Sequence, residues 1–378
     1  MTATSKTSLK LTNGILSAQR GSIYPGVSTR KTNTQTLRIL SIDGGGIKGI
    51  VPATILVYLE QRLRELSGKP DTRLTDYFDW VAGSSTGGIL ACFYLLPDPK
   101  NPKRAKLTAK EALERYLQQG QGAFQRTFLQ QMRNKLGIAD ERYSHRKLAR
   151  QLKRTIGANV TLNELIRPCV IPTFVDQEGQ PLFFNSQLHP ADRMANLKAW
   201  QVAKATSSAP GFFRPTVLKN KQGQRIECLD GGIWTTDPSL CAYWSARKAL
   251  CGSNTMDAKQ QNERKTILVS LGTGKMSRRF LVKELRKQKE EGRIAFNKML
   301  TKQSGSMKQQ ILNVFDRYES DGAYYRLDPQ LTEATSAMDN VATENLKALH
   351  EIGLKYTEKE KETLEEIAQT LVDSQKNI

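Results

Sequence analysis

The 378-residue sequence contains no long apolar run. No stretch approaches the roughly 20 uninterrupted apolar residues that cross a bilayer, and the first residues lack the apolar centre of a secretory signal. We therefore expect a soluble, cytoplasmic protein whose contact with a membrane, if any, is peripheral. Its apolar fraction of 38% is still enough to build a hydrophobic core.

Cysteine is scarce and follows no metal-binding or disulfide pattern. The five cysteines are odd in number, scattered along the chain and never spaced as CxxC pairs. This distribution predicts neither a zinc site nor a disulfide framework, and it favours a reducing compartment. We expect no metal or organic cofactor.

Acidic residues are also in short supply. There are 37 Asp and Glu against 57 Lys and Arg, which gives a formal charge of +20. Residues 100–154 hold fifteen basic residues against four acidic ones, and residues 275–302 hold ten against three. Such segments attract anionic membrane surfaces or nucleic acid, although an ordinary solvated exterior explains them as well. Of these partners we expect the membrane surface and not nucleic acid.

Residues 1–36 contain no Asp or Glu and are rich in Ser and Thr. Their composition predicts a disordered basic tail, with an organelle transit peptide as the alternative. From residue 37 the pattern alternates between strands and helices, such as "TLRILSID" followed by "VPATILVYLEQRLRELSGK". "FDWVAGSS" and "GGILACFYLL" repeat the alternation, so we expect a mostly parallel sheet covered on both faces.

Three further regions complete the expected organisation. Residues 98–165 read as a basic helical insertion within a larger domain at 37–274, and residues 275–378 as a C-terminal region made of helices only. Later strands are expected at "CVIPTFVD", "PLFFNS" and "KTILVSLGTG". The segment 278–300 mixes basic and apolar residues, and it reads equally as a membrane-docking helix or an ordinary surface helix.

The stretch "DGGGIKG" at 43–49 follows the first strand and precedes the first helix. Glycine-rich turns of this kind present backbone N–H groups to an anion. Gly44, Gly46 and Gly49 satisfy the dinucleotide fingerprint GxGxxG, but the second strand does not end in the carboxylate that holds a ribose. A P-loop is ruled out because no GK[ST] follows. An oxyanion hole remains, where each donor contributes roughly 3 to 4 kcal/mol to catalysis.

A nucleophile motif follows the second strand. Gly83, Ser85 and Gly87 form a GxSxG in "VAGSSTGG", where a strand turns sharply into a helix and would leave Ser85 exposed at the edge of the sheet. A serine hydroxyl needs a base to accept its proton. The strand–turn–helix context favours a catalytic serine over a purely structural turn.

Two candidates for the base are open. His350 gives the order Ser85, Asp230, His350 of an α/β-hydrolase triad, yet it lies in a helical pattern. Asp230 in "ECLDGGIW" is a carboxylate on a tight turn, although "DG" is also typical of a hairpin turn. The remaining histidines, His145 and His189, lie in polar surroundings and are expected at the surface.

Taken together, these motifs resemble the patatin-like acyl hydrolases. "SIDGGGIKGIVPATIL" is similar to the oxyanion block of that family, "GSSTGG" to its nucleophile turn, "ATSSAPGFFRP" to a characteristic internal segment and "DGG" at 230–232 to its catalytic Asp motif. "VSLGTG" at 269–274 is a further match. The resemblance covers residues 37–274.

The resemblance implies a three-layer α/β/α sandwich with a mostly parallel central sheet and a Ser–Asp dyad. Ser85 is then the nucleophile, Asp230 the base, and Gly44, Gly45 and Gly46 the backbone donors of the oxyanion hole. The residues that complete the motifs are Asp43, Lys48, Gly49, Gly83, Gly87, Gly231 and Gly232. Lys48 stands where the family more often has Arg, which keeps a cation but loses a planar fork.

The sequence thus predicts a serine lipid acyl hydrolase of the phospholipase A type, acting on a phospholipid or glycolipid. One alternative is a phospholipase effector of bacterial defence that is silent until a ligand such as a cyclic nucleotide binds. A second is an esterase that uses the triad with His350. A third is a module that binds phosphorylated ligands or nucleic acid without catalysing a reaction.

Overall fold

The computed structural model describes residues 36–123, 142–187, 194, 196–251, 265–275, 306–319, 321–332, 335 and 337–376. The strands are β1 (Thr36–Ile42), β2 (Trp80–Gly83), β3 (Pro97–Asp98), β4 (Asn101–Ala105), β5 (Cys169–Val175), β6 (Gln180–Asn185), β7 (Thr216–Lys219), β8 (Arg225–Leu229), β9 (Lys265–Leu271) and β10 (Ala323–Leu327). The helices are α1 (Ile50–Ser67), α2 (Thr86–Tyr94), α3 (Ala109–Ala123), α4 (His145–Ile156), α5 (Ala199–Thr206), α6 (Ser239–Cys251), α7 (Thr343–Lys359) and α8 (Lys361–Lys376). Residues 306–318 are also helical.

One sheet organises the molecule. Within the described residues it has eight strands in the order β10-β9-β1-β2-β5-β8-β7, with β6 paired to β5. The five strands from β10 to β5 are parallel, whereas β6, β7 and β8 are joined by antiparallel pairs. The expectation of a mostly parallel sheet is confirmed, and the antiparallel edge adds to it.

Helices cover both faces of the sheet. Leu37 and Ile39 of β1 pack with α6 and with Ile311 of the helical segment 306–318. Leu40 and Ile42 contact the opposite, larger cluster, which contains α1, α2, α7 and α8. Because successive side chains of a strand point to opposite faces, a run of apolar residues in β1 serves both layers. The predicted α/β/α sandwich is confirmed.

The local signals of the first helix act as the sequence predicts. Pro52 lies in the first turn of α1, where its missing N–H is tolerated, and the helix ends at Gly68 in the left-handed conformation with a φ of 65°. The strands expected from "CVIPTFVD", "PLFFNS" and "KTILVSLGTG" form as β5, β6 and β9. The predicted boundaries differ from the observed ones by at most three residues, and β5 and β9 begin where the sequence predicts.

The C-terminal region differs from the expectation of helices only. Residues Ala323–Leu327 form β10, which pairs with β9 along five registered positions. The helices α7 and α8 both pack on α1 and bury Leu349 and Ile367 in the main cluster. The C-terminal region therefore completes the sheet and one helical layer of the same body.

The basic region begins with strands, since β3 and β4 form a small antiparallel pair before α3. The helix α3 packs on α1, and α4 packs on both α3 and α5. The proposed limits of the tail, the catalytic domain and the C-terminal region stay predictions, and residues 1–35 and 278–300 lie outside the described residues. No helix in the described part of the chain is both long enough and apolar enough to cross a membrane.

Candidate active site

Ser85 lies at the sharp turn between β2 and α2. Its backbone has φ 51° and ψ −118°, a conformation that non-glycine residues rarely adopt, and the residue is only 7% exposed. Glycines flank it because the chain approaches itself closely. A Cβ on Gly83 would lie 2.0 Å from the carbonyl oxygen of Gly87, and one on Gly87 would lie 2.0 Å from that of Ile42. The GxSxG spacing is therefore required by backbone contacts.

Asp230 faces the serine hydroxyl directly. It follows β8, and its Oδ2 accepts a hydrogen bond of 2.7 Å from Ser85 Oγ. Its Oδ1 accepts from the N–H of Gly232 at 2.8 Å, at the start of a single 3₁₀ turn. The turn is not the hairpin that "DG" also allowed. The structure thus brings together two residues 145 positions apart.

The environment of Asp230 changes its acidity. The residue is 1% exposed, and burial raises its pKa from 3.8 to about 7, against the opposing effect of the hydrogen bonds from Ser85 and Gly232. A carboxylate with a pKa near 7 is ionised in a large fraction of molecules at neutral pH. It is also basic enough to accept a proton from a neighbouring hydroxyl.

The segment "ATSSAPGFFRP" supports both residues. Thr206 Oγ1 accepts from the N–H of Ser85 at 2.9 Å and donates to the carbonyl oxygen of Pro172 at 2.6 Å. The carbonyl oxygen of Ser208 accepts from the N–H of Asp230 at 3.0 Å. The sequence marks this segment only through the family resemblance, and its contacts fix the backbone of both Ser85 and Asp230.

The glycine loop runs beside Ser85, since a Cβ on Gly44 would lie 3.0 Å from the Cβ of the serine. The structure differs from the expectation at Gly44, because its N–H already donates to the carbonyl oxygen of Thr236 at 3.0 Å. Within the described part of the chain, the N–H groups of Gly45 and Gly46 make no hydrogen bond. Two of the three expected donors therefore have no partner among the described residues, and of the three glycines Gly46 lines the pocket that contains Ser85.

The end of β9 and the residues after it form hydrogen bonds with the glycine loop. The N–H of Asp43 donates to the carbonyl oxygen of Leu271 at 2.9 Å, and Thr273 Oγ1 donates to that of Gly44 at 2.9 Å. These contacts give "VSLGTG" a positioning role that the sequence alone did not indicate.

A buried ion cluster secures the first residue of the loop. Arg326 of β10 contacts both carboxylate oxygens of Asp43, at 2.8 and 2.5 Å, and lies 3.2 Å from Asp237 and 3.3 Å from Asp328. Burial acts to lower the pKa of Arg326, but the carboxylates of Asp43 and Asp237 outweigh it and raise the pKa above its usual value. The guanidinium therefore stays charged inside the protein. Arg326 lies outside every motif of the sequence, so no local signal indicates its role.

Lys48 is buried in the 3₁₀ turn that follows the glycines. Burial lowers its pKa to about 8, and the charge of Asp328 acts against that effect. Lys48 therefore lies close enough to Asp328, a member of the Arg326 cluster, for the two charges to interact.

Neither of the two described histidines contacts the Ser85–Asp230 pair. His350 is on α7, where its Nδ1 is 2.9 Å from Thr54 Oγ1 on α1, so it does not complete a triad with Asp230. His145 is half-buried instead of exposed, with Nε2 3.0 Å from Thr216 Oγ1. Burial and the nearby cations Lys204 and Arg214 lower its pKa to about 3. His189 lies outside the described residues.

A largely apolar pocket opens at Ser85 and Asp230. Tyr116 and Gln119 of α3 line it, and the Tyr116 hydroxyl donates to the carbonyl oxygen of Gly46 at 2.7 Å. Its larger apolar lining residues, with Ala123, are Ile89, Leu148, Phe212, Phe213 and Met338. The site therefore combines a paired hydroxyl and carboxylate, free backbone donors and an apolar cavity. This combination suits the cleavage of an ester that carries a hydrocarbon chain.

Two plant proteins of the patatin group are similar to this chain over most of its length. Patatin-T5 of Solanum tuberosum is 29% identical over 338 residues, which are 86% of this chain and 85% of that protein. Patatin-like protein 1 of Arabidopsis thaliana is 31% identical over 336 residues, covering 84% of this chain and 80% of that protein.

Among solved structures, VipD from Legionella pneumophila covers 85% of this chain and 67% of its own, at 12% identity and a TM-score of 0.31. That score is too low to add to the sequence relationship. The model of the patatin-like phospholipase family matches residues 40–238, which include Ser85, Asp230 and the glycine loop. The chain therefore belongs to the patatin-like phospholipase family, whose members are lipid acyl hydrolases.

Proposed function

We propose that this protein hydrolyses the fatty acyl esters of phospholipids or glycolipids through a Ser85–Asp230 dyad. The hydrogen bond of 2.7 Å between Ser85 Oγ and Asp230 Oδ2 carries the proposal. It pairs a hydroxyl with a carboxylate whose pKa of about 7 suits a general base.

In the first step, Asp230 accepts the proton of Ser85 as Oγ attacks the ester carbonyl carbon. The carbonyl oxygen becomes an oxyanion, which the N–H groups of Gly45 and Gly46 bind in this proposal. The start of α2 directly after Ser85 adds the positive end of a helix dipole. When the tetrahedral intermediate collapses, Asp230 returns the proton to the departing alcohol and an acyl-enzyme remains.

In the second step, Asp230 accepts a proton from a water molecule that attacks the acyl-enzyme. The same N–H groups bind the second oxyanion. Its collapse releases the fatty acid and returns the proton to Ser85 Oγ, so the enzyme is regenerated.

The apolar pocket supports an acyl chain as the group bound during both steps. The pocket is lined by apolar side chains that include Ile89, Leu148 and Phe213. Burying a hydrocarbon chain against such residues contributes about 0.8 kcal/mol per methylene group. Short or charged esters would gain little from this cavity.

The position of the pocket near α4 supports contact with an anionic membrane. Leu148 on the buried side of this helix lines the pocket, while Arg146, Arg150, Lys153 and Arg154 on the same helix are exposed. Basic residues near an anionic lipid surface contribute about 1 kcal/mol each to binding. We propose that this basic face of α4 holds the enzyme on the membrane that supplies its substrate.

The test is the release of fatty acid from phospholipid vesicles by the purified protein. We expect Ser85→Ala and Asp230→Asn each to lower the rate by at least about a thousandfold, because each removes one member of the dyad. His350→Ala is the control and should retain most of the activity, since its ring contacts Thr54. Full activity in Asp230→Asn would overturn the dyad.

The same assay separates the other hypotheses. Activity without any added ligand would argue against an effector that a cyclic nucleotide must switch on. A protein that only binds phosphorylated ligands or nucleic acid would release no fatty acid under any condition.

A further inference from the structure

Gln119 is an unpaired polar residue in the lining of an otherwise apolar part of the pocket. The side chain is 3% exposed, and among the residues that the structure describes neither its Oε1 nor its Nε2 has a hydrogen-bond partner. Leaving a buried donor and a buried acceptor unsatisfied is costly, and native proteins retain few such groups. A bound ligand with matching polar atoms would remove that cost.

The place of Gln119 along α3 shows which part of a substrate it meets. Tyr116, whose hydroxyl contacts the carbonyl oxygen of Gly46, lies one helical turn earlier, and Ala123 lies one turn later. Three residues of an α-helix span about 4.5 Å. Gln119 therefore lies between the glycine loop, where the scissile ester would sit, and the far end of the pocket.

The surroundings of Gln119 do not supply a partner. Gly120, Ala123 and Leu148, which line the pocket on α3 and α4, have no polar side chain. A buried water molecule needs two to four polar partners, so the amide alone is a poor site for one. The partner must come with the substrate.

We propose that Gln119 selects lipids whose acyl chain carries a hydroxyl group part of the way along its length. A hydroxyl both donates and accepts, so it can bond either atom of the amide, whereas an ester oxygen can only accept. This inference rests on the proposed hydrolase function and adds a substrate class to it. Gln119 is then a specificity-determining residue, because a site built around a substrate hydroxyl discriminates against chains that lack it.

The experiment compares aryl esters that share one leaving group. The acyl chains are octadecanoyl and its monohydroxy derivatives, with the hydroxyl moved stepwise along the chain. For the wild-type protein we expect kcat/KM to peak at one hydroxyl position, about tenfold above the unsubstituted chain. Gln119→Leu should remove this peak and raise kcat/KM for the unsubstituted ester, since the unsatisfied amide is gone.

The matched control is Gln118→Leu, the same chemical change at the exposed neighbouring position of α3, and it should keep the peak. An equal ratio of hydroxylated to unsubstituted rates in wild type and Gln119→Leu would overturn the proposal. The proposal would also be overturned if Gln119→Leu cleaved every one of these aryl esters like the wild type but hydrolysed diacyl phospholipids more slowly. Gln119 would then bind the second ester of the glycerol. Failure of the wild type to cleave any of the esters would instead overturn the hydrolase function itself.

Discussion

At the scale of single residues, the chemistry depends on how burial changes one carboxylate. Asp230 is held by hydrogen bonds from Ser85 and Gly232, yet its pKa still rises to about 7 because water is excluded from it. An exposed aspartate would be a much weaker base. In the proposed dyad, the desolvation of Asp230 makes this carboxylate a stronger base toward the Ser85 hydroxyl.

This environment predicts the pH dependence of catalysis. Asp230 must be deprotonated to accept the serine proton, so kcat/KM for a soluble ester should rise about tenfold per pH unit below 7 and level off above it. Steady-state rates at constant ionic strength between pH 5 and 9 measure this limb. A midpoint near the ordinary aspartate value would contradict the assignment.

The same shift predicts a cost in stability. Between its unfolded pKa near 3.8 and its folded pKa of about 7, the folded protein holds a proton that the unfolded chain has released, so the free energy of unfolding falls as pH rises. The full shift corresponds to about 4 kcal/mol. Asp230→Asn should therefore be more stable than wild type at pH 8, with an advantage that shrinks toward pH 4.

Chemical denaturation of both proteins across this pH range measures the effect. Parallel stability curves for wild type and Asp230→Asn would show that burial does not raise the pKa of this carboxyl.

The reach of sequence reasoning at this scale follows from local context. Ser85 could be predicted because its own neighbours define a glycine-bounded turn, whereas local context left Asp230 and His350 both open and only the family resemblance favoured Asp230. Thr206 and Arg326 could not, since their roles arise from contacts 121 and 283 residues away along the chain. The engaged N–H of Gly44 was missed for the same reason, because its partner Thr236 belongs to a distant turn.

At the scale of elements, β10 connects the C-terminal region to the active site. It places Arg326 against Asp43, the residue that begins the glycine loop. The strand was missed because a five-residue segment with an internal arginine does not show the alternation of a half-buried strand. Its arginine can be buried because three carboxylates surround it, of which Asp43 and Asp237 come from distant parts of the chain and Asp328 directly follows the strand.

Arg326→Met should therefore destabilise the protein and loosen the loop. Removing the guanidinium leaves Asp43 and its neighbours as uncompensated buried charges, a change that typically costs about 3–5 kcal/mol. We expect a lower Tm, and kcat should fall more than KM rises because the oxyanion donors lose their support.

The control for this variant is Arg62→Met. Arg62 pairs with Glu65 and Glu365 at a partly exposed site, where such pairs contribute about 0–1 kcal/mol. Similar losses of Tm in the two variants would argue against a special role for the buried cluster.

At the scale of the whole molecule, part of the net charge of +20 is concentrated on one exposed helix face beside the pocket. The sequence shows a basic segment at residues 100–154, and the structure places four of its exposed cations on α4, the helix whose buried side lines the pocket.

The order of the sheet strands could be anticipated only as a mostly parallel pattern, because short antiparallel strands such as β7 and β8 carry weak local signals.

The charge reversal Arg150→Glu with Lys153→Glu tests the membrane-facing role of α4. It should weaken binding to anionic vesicles by at least about thirtyfold, since each basic residue contributes about 1 kcal/mol, while the hydrolysis of a soluble aryl ester stays close to wild type. Vesicle sedimentation at several salt concentrations measures the binding.

The matched control reverses Lys347 and Lys355, two exposed lysines of α7, and so changes the net charge equally. Equal weakening by both double variants would show that net charge alone, and not the face of α4, governs membrane binding.

Covalent labelling by a fluorophosphonate, which reacts with activated serines, tests the Ser85–Asp230 dyad without any assumption about the lipid substrate. We expect one adduct per wild-type molecule, mapped by mass spectrometry to Ser85. Labelling should be absent in Ser85→Ala, much slower in Asp230→Asn, and retained in Ser84→Ala, since the Ser84 hydroxyl donates to the carbonyl oxygen of Thr235 instead. An unlabelled wild-type protein, or an adduct that persists in Ser85→Ala, would contradict the Ser85–Asp230 dyad.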